Sequence, residues 1–263
     1  MAMTTSQRAR LSKTIQIVLF IAIIVALVLA LDWDKTRYAF FSFEELGPMF
    51  PDMIIVGLKN TIFYTVISFA FGLVAGLLLA LMKMASFAPY RWFATAFVEF
   101  FRGIPAILVL LAFGFGLPQA FGTLWPQPVN IMLALGLVSS AYIAETLRAG
   151  LQAVPKGQTE AARSLGMPAW RAMVTIVIPQ AFKIVLPPMT NEVILLTKDS
   201  SLAFILGMSI TQYELTKFGR DGIQSLDAGL TPLVVAGMFY LVITIPLSLV
   251  ARKFESRSAR TKR

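Results

Sequence analysis

The sequence contains six apolar runs, each long enough to cross a lipid bilayer as an α-helix. A hydrocarbon core about 30 Å thick requires about 20 apolar residues in helical form. The runs cover residues 15–31, 55–82, 93–117, 130–150, 184–210 and 230–251. No series of alternating apolar and polar residues indicates the strands of a membrane barrel. The sequence therefore predicts an all-α integral membrane protein with six transmembrane helices.

The first apolar run has an alternative interpretation. It follows basic residues, and Val28-Leu29-Ala30 resembles the cleavage site of a signal peptide. The length of the run favours a membrane helix, because the apolar region of a signal peptide spans only about 7 to 15 residues. Both interpretations give the same orientation for the later spans.

Basic residues alternate in density between successive polar segments. The segments 1–14, 83–91, 145–183 and 252–263 carry 16 Lys and Arg, whereas the intervening segments 32–59, 118–129 and 211–229 carry 5. Loops rich in Lys and Arg stay on the cytoplasmic side of a membrane. The pattern therefore predicts that both chain ends and the long polar loop between the fourth and fifth runs lie in the cytoplasm.

The amino-acid composition excludes most kinds of catalytic site. The chain has no Cys and no His, so disulfides, thiolate or imidazole metal ligands and the usual nucleophile and base pairs are not available. An intramembrane enzyme would have to use Glu99, Glu192 and Asp199, which form no recognisable catalytic pattern. The net charge of +9 reflects the cytoplasmic loops and contact with anionic lipid. We therefore predict no catalytic residue, no metal site and no nucleic-acid partner.

The long polar loop contains the pattern of a short surface helix. Pro155 is suited to a helix start, and Gly166 followed by Pro168 is typical of a helix end. Such a helix either rests on the membrane surface without a partner or transmits force from a cytoplasmic partner to the helices that move.

This loop resembles the EAA motif of permease subunits of ATP-binding-cassette (ABC) importers. The motif reads Glu160-Ala161-Ala162, three residues, Gly166, nine residues, Ile176, one residue, Ile178 and Pro179, with Ile178 where Leu is usual. Other blocks resemble the polar amino-acid branch of the family and occur in the expected order. They read GLKNT at 57–61, RGIP at 102–105, ETLRAGLQAVPKGQTEAARSLG at 145–166 and NEVILLTKDSSL at 191–202.

The resemblance implies the type I ABC importer fold and a location in the bacterial inner or plasma membrane. In that family the EAA helix is a coupling helix that sits in a groove on a separate ATPase. By this resemblance Glu160 is the charged contact, Ala161 and Ala162 permit close approach, and Gly166 turns the chain out of the helix. A carboxylate near a helix N-terminus is stabilised by the helix dipole and can meet an Arg of a partner.

The resemblance also implies which proteins assemble with this chain and how the chain is divided into regions. The chain has no G-x-x-x-x-G-K-[S/T] phosphate loop, so ATP and Mg²⁺ belong to a separate cassette ATPase dimer and this chain is expected to bind no cofactor. A second permease subunit, identical or different, and an extracytoplasmic amino-acid-binding protein complete the expected assembly. The expected regions are an N-terminal tail, extra helix and outward connector at 1–54, a permease core at 55–251 with its coupling loop at 151–183, and a basic tail at 252–263.

Charged residues within the apolar runs are costly in lipid and usually face a bundle interior or a water-filled path. Glu99 and Arg102 are three residues apart on the third run, and their spacing predicts a structural ion pair.

Residues 41–50, outside these runs, are interpreted as a plain connector rather than an interfacial helix or a gate.

The fifth run carries a polar stripe. Its members are Asn191, Glu192, Lys198, Asp199 and Ser201, in which Glu192 and Asp199 repeat at seven residues, as do Asn191 and Lys198. The stripe is either the substrate path or a polar network that holds the bundle together. As a path, Lys198 and the nearby carboxylates would meet both charges of a zwitterionic amino acid.

Small residues recur every four positions on the second run. Ser68, Gly72, Gly76 and Ala80 form this stripe. Small residues at this spacing let another helix approach closely. The partner helix lies either in the same subunit or in a second permease.

Together these features predict the permease of an ATP-driven importer of polar or charged amino acids, working by alternating access. Lys198 in the proposed path favours glutamate, aspartate or glutamine. The alternative is a secondary amino-acid carrier or a channel without an ATPase. The sequence has no detectable inverted repeat, which weakens the carrier interpretation.

Overall fold

The computed structural model describes residues 5–260, with side-chain environments for residues 11–256. In chain order its main helices are α1 Thr5–Ala30, α2 Trp33–Phe40, α3 Lys59–Met84, α4 Ala88–Gly103, α5 Ala106–Phe121, α6 Gln127–Gln152, α7 Lys156–Ser164, α8 Ala169–Ile205, α9 Leu215–Ser225 and α10 Thr231–Arg260. No strand occurs in this part of the chain. Residues 1–4 and 261–263, at the ends of the predicted N-terminal and basic C-terminal tails, lie outside the described residues.

Long apolar helices account for the predicted spans. Five stretches are long and apolar enough to cross a membrane, and α4 with α5 makes a sixth if this bent pair is counted as one span. The prediction of an all-α multi-span membrane protein is therefore confirmed.

The third apolar run is not one straight helix, contrary to prediction. The axes of α4 and α5 differ by 102° across a break of two residues. The backbone of Ile104 is extended, with φ −96° and ψ 137°. Because Pro105 disfavours helical geometry in the residue before it and has no N–H for the helix ladder, the helix ends here and restarts in a new direction.

Helix α6 lies at the centre of the bundle. It packs along α3, and α4, α5 and α8 also contact it. Its buried positions are mostly small or β-branched, and they include Ala134, Ser139, Ser140, Ala141 and Ala144. These small side chains allow four neighbouring helices to approach closely, so that α6 is surrounded by protein rather than by lipid.

The N-terminal helix α1 is separate from this core. Every side chain from Leu11 to Ala30 is exposed, although the stretch is almost entirely apolar. A helix that is apolar on all sides is expected to be surrounded by lipid or by other membrane helices.

Residues 41–50, interpreted from the sequence as a plain connector, are largely helical and partly buried. A 3₁₀-helix spans Phe43–Met49 and leads through further helical turns into α3. Leu46 and Met53 are buried against Leu215, Phe218 and their neighbours on α9 and α10. These side chains complete an apolar core at one end of the bundle, which holds the segment against α9 and α10.

Candidate functional site

A cavity of about 450 Å³ opens beside the bend between α4 and α5. Its walls come from the bend, from α6 and from α8. The lining side chains that carry charge or polarity are Arg102, Ser139, Tyr142, Glu192 and Asp199. We call this the larger cavity. Its volume lies within the range of about 300 to 1,000 Å³ that is usual for small-molecule sites.

Arg102 does not form the predicted ion pair with Glu99. The described residues contain no contact of 4.0 Å or less between these two charges, and both residues are exposed. The Arg102 guanidinium instead lies 5.7 Å from the centre of the Tyr142 ring on α6, in the geometry of a cation–π contact. Arg102 precedes the bend directly, so its side chain meets α6 and the larger cavity rather than the preceding turn of α4.

Glu192 and Asp199 both line the larger cavity, two helical turns apart on α8. Neither carboxylate has an ion pair or a side-chain hydrogen bond with any described residue. A carboxylate left unpaired inside a membrane bundle is costly. The two acids are therefore available to a ligand.

Lys198 and Ser201 lie on a different cavity from the two acids. They line a smaller cavity of about 250 Å³ together with Thr216 and Tyr240. Asn191 is exposed and lines neither of the two cavities. Lys198 and the two carboxylates therefore line different cavities in this structure, and the interpretation of the stripe as a substrate path stays a prediction. Successive residues on a helix point about 100° apart, which directs Lys198 away from Asp199.

Glu214 is a buried acid that the sequence interpretation missed. It precedes α9 with 0% of its surface exposed, and its carboxylate accepts hydrogen bonds from the backbone N–H groups of Thr216 and Lys217 at 2.6 and 2.7 Å. The Tyr240 hydroxyl also donates to it, at 2.9 Å. Burial raises the pKa of Glu214 to about 7, although these hydrogen bonds oppose the shift. The signal in the sequence is an acid directly before a helix, where side-chain oxygens cap free N–H groups.

The small-residue stripe packs within the chain. A Cβ at Gly72 would lie 2.2 Å from Ser139 Oγ, and one at Gly76 would lie 2.7 Å from Ile143 Cγ2. Both contacts are with α6. Ser68, Gly72, Gly76 and Ala80 are all buried on α3. The open choice between an internal contact and a second permease is therefore resolved in favour of an internal contact.

The predicted surface helix is α7, and its ends lie where Pro155 and Gly166 indicate. Gly166 has φ +84°, a left-handed conformation that favours glycine. The N–H of Gly166 donates to the Arg163 carbonyl and the N–H of Met167 to the Ala162 carbonyl, which is the Schellman pattern of a helix C-terminus. Glu160 and Ala161 are exposed, whereas Ala162 is buried.

Two large apolar side chains are exposed next to α7. Leu165 is 88% exposed and Trp170 is 70% exposed. Behind them, Val154, Val177 and Ala181 form a small buried cluster that joins the α7 loop to α8. The loop therefore presents a polar and apolar surface while remaining firmly attached to the bundle.

A charge cluster joins α3 to α6 at the end of the bundle that carries α7. Glu145 forms ion pairs with Lys83 and with Arg148, the latter at 2.7 Å between Oε2 and Nη2. Arg148 also donates to the Gln152 side chain at 2.7 Å. One carboxylate thus neutralises two cations close to the point where the α7 loop leaves α6.

The chain matches a known family over most of its length. Residues 72–260 match the family model described as binding-protein-dependent transport system inner membrane component. The chain belongs to this family of permeases. It is a multi-pass protein of the inner membrane, and the family consists of transport subunits rather than enzymes. The predicted ABC importer permease is confirmed.

Relatives of this permease align over nearly their whole length. It is 36% identical over 215 residues to the arginine transport system permease of Bacillus subtilis, covering 82% of this chain and 96% of the relative. It is 34% identical over 227 residues to the glutamate/aspartate import permease of Escherichia coli O157:H7, covering 83% and 99%. Among solved structures, an amino acid ABC transporter crystallised with histidines matches with a TM-score of 0.71 and 37% identity, covering 79% of this chain and 94% of that chain.

Proposed function

We propose that this permease is the membrane subunit of an ATP-driven amino-acid importer and that its substrate crosses through the larger cavity by alternating access. The observation that carries the proposal is the presence of Arg102, Glu192 and Asp199 around one cavity within the helix bundle. An amino acid brings a carboxylate and an ammonium group, so side chains of both signs can meet it without leaving unpaired charge in lipid. The named relatives, which transport amino acids, support the same substrate class.

In this proposal α7 lies in the cytoplasm and docks on a cassette ATPase. Glu160 supplies a charged contact, and Leu165 and Trp170 supply apolar anchors beside it. ATP and Mg²⁺ bind to the ATPase dimer. Because the α7 loop is joined to α8 by a buried apolar cluster, displacement of α7 would move a wall of the larger cavity.

The proposed assembly has further subunits. A second permease, identical or different, completes the translocation path, and an extracytoplasmic amino-acid-binding protein delivers the substrate on the side opposite α7. Both chain ends then lie in the cytoplasm, in agreement with the excess of basic residues in the segments on that side.

The coupling role of α7 can be tested in proteoliposomes that contain the complete transporter. We expect Glu160→Lys to reduce ATP-dependent uptake by about tenfold or more, since reversal of a charge at an interface costs several kcal/mol. Glu255→Lys is the matched control, because Glu255 is also an exposed acid on a predicted cytoplasmic segment. Unchanged uptake in a variant with both Glu160→Lys and Gly166→Pro would contradict the coupling role. Uptake without any ATPase would favour a secondary carrier.

A further inference from the structure

Glu99 on α4 is an exposed acid within a membrane-spanning segment. It lies in the apolar run 93–117, and its neighbours Phe93 and Phe100 are exposed as well. In the part of the chain that the structure describes, Glu99 has no ion pair and no side-chain hydrogen bond. A carboxylate in contact with lipid is costly, so acids within membrane helices usually face protein or water. We therefore expect the face of α4 that carries Glu99 to be covered in the assembled transporter.

Lys198 on α8 is an exposed charge of the opposite sign, also within an apolar run. It attracts Asp199 electrostatically, but the two groups do not approach within 4.0 Å of each other. An ammonium group has three N–H donors, so Lys198 can also pair with a second carboxylate. The hydroxyl group of Ser201 lines the same smaller cavity and has no hydrogen bond with a described residue. The smaller cavity therefore offers an ammonium group and a hydroxyl group to an acidic side chain.

The two exposed charges flank the larger cavity at a similar depth. Glu99 is about one helical turn, or about 5 Å, from Arg102, which lines the larger cavity. Lys198 is adjacent to Asp199, which lines the same cavity from α8. A two-fold axis along the membrane normal preserves depth and exchanges the two flanks of this cavity. It therefore places Glu99 of one copy opposite Lys198 of the partner subunit, and the reverse contact forms at the same time.

We propose that the second permease is a copy of this chain, and that Glu99 of each copy forms an ion pair with Lys198 of the partner subunit at the smaller cavity. The proposal rests on the proposed function for the presence of a second permease, and it commits that permease to an identical chain. Charge complementarity is the reason, because one copy presents an acid without a partner and a cation with unused donors. Two copies satisfy both groups twice, and the two larger cavities then face each other across the axis.

Disulfide cross-linking tests the contact directly, because the chain has no Cys of its own. Two differently tagged copies are expressed together with the ATPases, one with Glu99→Cys and the other with Lys198→Cys. Oxidation of the membranes with copper phenanthroline should give a linked dimer that carries both tags. In the control, Val74→Cys replaces Lys198→Cys, because Val74 is 63% exposed on α3 and lines neither cavity. That pair should give no linked dimer.

Exchange of the two charges tests the ion pair itself. Glu99→Lys and Lys198→Glu should each lower the fraction of permease recovered as a dimer by about tenfold or more, because each variant places like charges opposite one another. The double variant restores opposite charges at both contacts and should restore the dimer. Native mass spectrometry of the purified transporter measures this fraction. If a single variant does not reach the membrane, the cysteine pair and the double variant still decide.

Three results would overturn the proposal. The first is absence of the linked dimer in membranes from which the two tagged copies copurify. The second is recovery of a different permease chain while the tagged copies never copurify. The third is a phospholipid that stays bound to a single permease chain and is lost in Lys198→Met, which would assign the smaller cavity to a lipid headgroup.

The proposed function is tested separately by uptake. It stands in all three cases if the unmodified transporter retains ATP-dependent amino-acid uptake in proteoliposomes. Absence of that uptake would overturn the proposed function itself, whether or not the linked dimer forms.

Discussion

Replacement of Gly76 by Ala should destabilise the contact between α3 and α6. The added Cβ would lie 2.7 Å from Ile143 Cγ2 and 2.9 Å from the Ser140 carbonyl oxygen. The oxygen belongs to the backbone and cannot rotate away, so the two helices must separate by several tenths of an ångström. Overpacking of this kind costs about 1 to 3 kcal/mol, and the higher helix propensity of Ala returns up to about 1 kcal/mol.

Because the added Cβ meets both a side chain and a backbone oxygen at less than 3.0 Å, the cost should lie in the upper half of this range, and the expected net loss is about 1 to 2 kcal/mol. In a protein of this length each kcal/mol shifts the thermal midpoint by about 2 to 4 °C, so we expect a decrease of about 2 to 8 °C. The assay heats the purified permease in mild detergent and measures the fraction that remains monodisperse in size-exclusion chromatography.

Gly237→Ala on α10 is the matched control, because a Cβ at Gly237 meets no atom within 4 Å. It should leave the midpoint unchanged or raise it slightly through helix propensity. A Gly76→Ala variant as stable as the unmodified permease would refute the argument that the small-residue stripe is required for close packing.

Three further predictions concern stability. Folding raises the pKa of Glu214 to about 7, so the protonated carboxyl group stabilises the folded state at low pH, and this stabilisation is lost as pH rises through about 7. The thermal midpoint should therefore decrease between about pH 5 and about pH 8, and Glu214→Gln should reduce that decrease. Glu145→Leu should lower the midpoint more than Lys83→Met, because loss of the shared acid leaves two adjacent cations; equal effects would contradict this. Gly166→Ala should strain the left-handed turn by about 1 kcal/mol and speed amide exchange in α7, whereas Gly157→Ala should not.

Local signals in the sequence were sufficient to predict α7. Pro155 and Gly166 act within their own turns, through the fixed φ of proline and the left-handed conformation of glycine, so no distant contact is needed to define the helix ends. The apolar runs were also sufficient to predict the spans, because bilayer thickness sets their length. The bend at Pro105 carries a local signal too, but the continuity of the apolar run obscured it.

Contacts between helices could be predicted only in part. The stripe from Ser68 to Ala80 indicates a close approach, because small side chains leave room for another backbone, yet it contains no information on which helix approaches. The structure identifies that helix as α6, through Ser139 and Ile143.

The division of charged residues between two cavities was not predictable from spacing. Glu99 and Arg102 have the separation of an ion pair, but Arg102 meets Tyr142, a residue 40 positions later in the chain. Likewise, Lys198 and Asp199 are neighbours in sequence and line different cavities, because α6 and α10 approach α8 from different sides. Such placements depend on tertiary packing, which a single helix pattern does not specify.

The central claim is that this permease works with a separate ATPase. The most direct test is native mass spectrometry of the affinity-tagged permease after purification from its own membrane in mild detergent. We predict a complex that contains a cassette ATPase dimer and a second permease chain, and that loses the ATPase when Glu160→Lys is combined with Gly166→Pro. A permease that is recovered without an ATPase, and that still transports amino acids in proteoliposomes, would contradict the claim.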